Sequence, residues 1–161
     1  MSVFNKIFEA HSLAKSEAEH KAAAAIAARS TAQAEFAAAF RQQVELVAAP
    51  IFQQFVSDAL GHGFPATAEL GSDGQGNPMY SLRFRPETGT QLGTNPSSEC
   101  AYTMRGTIAD QKVEHAYYFE QRPEKKSGMK KGVFGIQSIN VAVLERELGE
   151  FLSATLAARA A

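Results

Sequence analysis

Cysteine is almost missing from this chain: Cys100 is the only one in 161 residues. A lone thiol excludes an intrachain disulfide and any multi-cysteine metal or iron–sulfur site, and it fits a reducing compartment. No apolar run approaches the ~18 residues that span a bilayer. A cleaved secretory leader is not expected, because the most apolar early run, residues 22–28, follows a head carrying Glu9, Glu17 and Glu19 among its lysines. The expected location is the cytoplasm, with no membrane partner. Charge bias is missing too. The formal charge is -1, so any attraction to nucleic acid or anionic surfaces must be local. Histidines at metal-ligand spacing are absent: His11 and His20 fall about 180° apart around a helix, and His62 and His115 are isolated. No metal or other cofactor is expected.

Turn formers are absent from the first third. Residues 6–49 contain no Gly, Pro or Asn, and eleven of the eighteen residues 22–39 are alanine, the strongest helix former. Residues 3–60 therefore read as one long helix, kinked near Pro50, which lacks the donor for the carbonyl of Leu46. Gly61 and Gly63, flanking His62, end it. A stripe of small residues, Ala14, Ala18, Ala22, Ala25 and Ala32, is followed by large ones, Phe36, Phe40, Val44, Val47, Ile51 and Phe55. The large end suits a core. The alanine end buries little area but lets another helix approach closely. Capping-box spacing at Ser16/Glu19 and Ser30/Gln33 offers weak places for a break. A continuous helix over residues 3–60 would be about 87 Å long, well beyond the ~26 Å of a body this size. Residues 1–34 are therefore expected to be a projecting arm, tipped by Val3, Phe4, Ile7 and Phe8, that packs on a partner chain. Residues 35–161 are expected to form one α+β domain.

After Pro65 the period becomes two. Residues 67–70 and 79–85 read as one hairpin around the polar loop 71–78, with Tyr80, Leu82 and Phe84 on one face. Residues 100–109 and 113–121 read as a second hairpin turning at 110 and 111, and residues 133–139 as a fifth strand. Asn140 is a suitable N-cap for a last helix with Val141, Leu144, Leu148, Phe151, Leu152 and Leu156 on one face. The sum is an antiparallel sheet of four to five strands built from two hairpins, with both helices on one face. Loops 86–99 and 121–132 are long enough to suggest mobility or binding.

Few residues carry chemistry. Residues 122–131 hold five cations and one acid. Lys125, Lys126, Lys130 and Lys131, with Arg83, Arg85 and Arg105 on the open sheet face and Tyr118 to stack a base, form a candidate single-strand surface. Glu114 and Glu120 share the face with Tyr118 and make it mixed in sign. The glycines of 71–76 lack a following helix, so a hairpin loop explains them better than a phosphate cradle. Asp73, Gln75 and Asn77 alternate as calcium ligands do, but Pro78 and Phe84 occupy the required Gly and Glu positions. A turn at 110 and 111 pairs 106 with 115 and sets Cys100 and His115 ~20 Å apart, too far for a nucleophile and its base. Cys100 then reads as a small core residue. The tyrosines and phenylalanines of the strands suit a core, or a pocket between sheet and helices. The expected function is a non-enzymatic homo-oligomeric binding or scaffold protein. The alternatives are nucleic-acid binding through the lysine loop and small-molecule binding under the sheet, and a protein partner is compatible with all three.

Overall fold

The computed structural model describes residues 2–160. It divides into two units, Met1–Glu35 and Phe36–Ala161. Met1 and Ala161, the outermost residues of the two expected segments, lie outside the described residues.

The first unit is helical. Helix α1 (Val3–Gln43) begins in it, and Ser2 Oγ accepts from the backbone N–H of Asn5 at 3.1 Å, a side-chain cap on its first turn. The helix runs through Ser16 and Ser30 without interruption, so neither capping-box pair acts as a start. Residues 2–31 are all exposed.

The second unit is an α+β domain. Residues Val44–Ala48 form a π-helical turn, after which helix α2 (Ala49–Gly61) continues. The N–H of Ala49 bonds to the carbonyl of Val44, five residues back. Pro50 explains why the turn is here: it has no N–H for the carbonyl of Leu46, and widening the preceding turn removes that demand. The kink expected near Pro50 therefore takes the form of a π turn. It also shifts the buried stripe, which is Phe36, Phe40, Val44, Ala48, Phe52 and Val56. The expected Val47, Ile51 and Phe55 are only partly buried. A step of four overshoots the α-helical repeat by about 40° each time, and the extra residue of the π turn rotates the stripe back toward the sheet. At the end of α2, Gly63 takes φ +86°, Phe64 N–H bonds to Ala59 O at 2.9 Å and Gly63 N–H to Leu60 O at 3.0 Å. This pair of bonds is a Schellman stop, for which glycine is suited.

Five antiparallel strands lie in sequence order: β1 (Ala66–Ser72), β2 (Pro78–Phe84), β3 (Cys100–Thr107), β4 (Lys112–Glu120) and β5 (Gly128–Phe134). The turn between β3 and β4 is centred one residue earlier than expected, so that Gly106 faces Val113 and Met104 faces His115. The fifth strand begins at Gly128, not at Val133, and Ile136–Ser138 form a 3-10 turn. Its glycines make room for rings: a Cβ at Gly128 would lie 2.3 Å from Phe119, and one at Gly132 would lie 2.7 Å from Phe134. Helix α3 (Val141–Ala160) starts at Asn140, whose Oδ1 accepts from Val143 N–H at 2.9 Å. Leu144, Leu148, Phe151 and Thr155 are buried, whereas Val141 and Leu156 are exposed.

Both helices cover the same sheet face. Phe52 meets Tyr80 and Tyr102, and Phe151 meets Phe84, Tyr102 and Tyr117. Phe40 rests on Gly106, where a Cβ would come within 2.9 Å of its ring.

Candidate functional site

The seven expected cations do not form one surface. Arg83 on β2 pairs with Glu99 at 2.8 Å, and Arg105 on β3 pairs with Glu114 at 2.9 Å and Asp73 at 3.5 Å. Arg85 turns into loop 86–99, donating to Gln91 O at 3.2 Å and Thr94 Oγ1 at 3.0 Å and pairing with Glu87. Glu99 holds the same loop by accepting from Gly93 N–H at 2.6 Å, and Arg159 of α3 reaches Glu87 and the Ser98 carbonyl. That loop is tied down by three arginines. Lys130 and Lys131 stand on β5, outside any loop, and face opposite sides. Lys130 meets Glu150 at 2.8 Å and Glu147 at 3.5 Å on α3, while Lys131 meets Glu114 at 3.6 Å. The hydrogen bond to Glu150 holds the Lys130 ammonium above the usual lysine range. Among the described residues, Lys125 and Lys126 make no ion pair.

Asp73 closes the β1–β2 hairpin. Its carboxylate accepts from the N–H groups of Gln75 and Asn77 at 2.8 and 2.9 Å and from the Asn77 amide at 2.9 Å. These bonds hold its carboxyl below the usual aspartate pKa range, the Asn77 side chain contributing most. The polar loop is thus a turn stapled by its own side chains. Cys100 is fully buried with its sulfur 3.5 Å from the Phe119 carbonyl, and burial pushes the thiol up to about 11. A thiol so protonated is no nucleophile.

A buried polar chain joins β3, β4 and the 3-10 turn. Ser138 Oγ donates to Gly135 O at 2.7 Å, which spends its only proton. It must then accept from His115 Nε2, 2.8 Å away, leaving Nδ1 to accept from the Tyr102 hydroxyl at 2.9 Å. This arrangement assigns every proton and makes the ring neutral. A serine nucleophile needs the imidazole to accept its proton, and here the proton points the other way. The chain satisfies buried polar groups. The hydroxyl of Tyr80, also buried, is bonded by Gln53. Among the described residues there is no cluster of three or more ligating side chains that would hold a metal, and no helix long and apolar enough to cross a membrane.

Two apolar surfaces stand out among the described residues. One is the start of α1, where Val3, Phe4, Ile7 and Phe8 are 61 to 74% exposed. Ala14, Ala18, Ala22 and Ala25 are exposed as well, and Ala32 is half-buried. The other is a groove of about 390 Å³ lined by residues of α2 (Phe55, Ala59), β2 (Phe84) and α3 (Leu152, Leu156), together with Phe64. Its polar lining residues are Asp58 and His62. This groove was not legible in the sequence, because each wall residue reads singly as core. The spacing that brings Phe55 and Ala59 to one side of α2 is the one available hint. Comparison with protein-family models, with curated proteins and with solved structures finds no match to this chain.

Proposed function

We propose that this protein is a non-enzymatic homo-oligomeric binding or scaffold protein whose α1 arm joins copies of the chain. One observation carries the reading: an unbroken helical segment, residues 3–31, is exposed throughout and carries four large apolar side chains at its start. An isolated alanine-rich helix is marginal in water, and packing on another surface stabilises it. Exposed phenylalanines add the usual hydrophobic drive toward association. The Ala14, Ala18, Ala22 and Ala25 side chains would let a second backbone come close. The nucleic-acid reading draws little support, since five of its seven cations, Arg83, Arg85, Arg105, Lys130 and Lys131, already face carboxylates.

Deleting residues 2–30 tests the proposal. The mass in solution, measured by light scattering, should fall to that of one chain, while circular dichroism retains the sheet signal of the domain. An unchanged mass removes the arm from its assigned role.

A further inference from the structure

We propose that the N-terminal tip of one copy docks into the groove between α2 and α3 of a second copy. This deepens the scaffold reading and rests on it, since it names what the arm binds.

The tip has the form of a groove-binding helix. Val3 and Ile7, and likewise Phe4 and Phe8, are four residues apart, and Phe4 and Ile7 three apart, so all four fall on an arc of about 140°. Helices that lie in grooves are anchored by side chains at such spacings. The groove has the matching form. It opens between two helices, and Phe55, Phe64, Leu152 and Leu156 give it apolar walls that the described residues leave uncovered. Charge fixes the choice of occupant. Residues 2–8 contain Lys6 and no acid, and Lys6 flanks the apolar arc. The acid lining the groove is Asp58, whose Oδ1 accepts from Gln54 Nε2 at 2.9 Å, leaving Oδ2 to meet an ammonium. A neutral apolar molecule would use the walls and ignore Asp58. The tip uses both.

Tip and groove are different surfaces, so the contact is heterologous. Each copy offers one of each, and the product is a ring or an open chain, unlike the closed pair that two arms side by side would give.

Cross-linking of full-length chains decides it. Cys100 is buried, so Asn5→Cys in one sample and Leu60→Cys in another supply the reactive thiols, the latter on an exposed residue next to the groove. Mixed in equal amounts and treated with a short bismaleimide, they should give mainly the product joining position 5 to position 60, identified by peptide mass. Products joining position 5 to position 5 would show arms paired with arms and overturn the proposal. So would a 5-to-60 link found only when both cysteines are on one chain. A charge swap adds a readout that folding defects do not mimic. Lys6→Asp should weaken association about two- to fivefold, the range of an exposed ion pair, and Asp58→Lys in the same chain should restore it. If Leu156→Glu leaves the mass unchanged while deletion of residues 2–30 lowers it, the groove assignment fails and the arm's role stands. If neither lowers it, both fail.

Discussion

At the scale of single residues, His115 carries the most consequence. It ties β3 to the turn before α3 through Tyr102 and Ser138, and both bonds need its neutral form. Protonating Nδ1 would set two donors against each other, since the Tyr102 hydroxyl donates there. Burial pushes the imidazole below the usual histidine range, and Glu147, which lines the same small cavities with Lys130, Lys131 and Arg146, counters this only in part. The folded ring therefore binds protons less readily than the unfolded one, whose value is about 6.5. Its contribution to stability is present above that value and is lost as the pH falls below it. The urea midpoint should be lower at pH 5.5 than at pH 7.5, and His115→Gln should flatten the difference. Equal midpoints in the parent chain, or the same slope in the variant, would sink this account. Nothing in the sequence announced the chain of three. Ser138 is 23 residues away, and a turn placed one residue late sets His115 opposite Gly106, beyond reach of Tyr102.

Among elements, the π turn decides how α1 and α2 present their faces. The every-fourth pattern from Phe36 to Val56 was open to reading, but a plain α-helical template prefers Val47, Ile51 and Phe55, because it allows no extra residue. Leu46 sits within the wide turn and is 64% exposed, so removing it costs no buried side chain. Deleting Leu46 removes the extra residue, so the turn can close to α-helical form with Phe36, Phe40 and Val44 kept on the face of Phe52, but the Pro50 ring then meets the carbonyl four residues before it, and stability should fall by about 3 kcal/mol. Leu46→Ala should shift stability by only about 0.5 kcal/mol. Similar thermal midpoints for the two variants would show that the wide turn is not what accommodates Pro50. Strand β5 was hidden for another reason. Gly-Met-Lys-Lys-Gly has neither β-branched residues nor apolar alternation, and its place is set by the rings of Phe119 and Phe134 lying over its glycines. By contrast β2 and β3 alternate plainly in sequence and burial alike.

For the molecule as a whole, the two-layer α+β arrangement was readable because periods of 2 and 3.6 succeed each other along the chain. The groove was not, because its walls come from residues 55 to 156 and only the fold assembles them. If the arm is stabilised by association, its helicity depends on concentration. Far-ultraviolet circular dichroism per residue should fall on dilution of the full chain and stay constant for the chain lacking residues 2–30. A signal independent of concentration in the full chain would contradict this. The sheet takes no part in that expectation, and β5 shows why. As a terminal strand it ends the ladder with lysines at adjacent positions, one directed to each side. An incoming sixth strand would have to bury its own side chains against an ammonium above and another below, which guards the edge against fibre-like stacking.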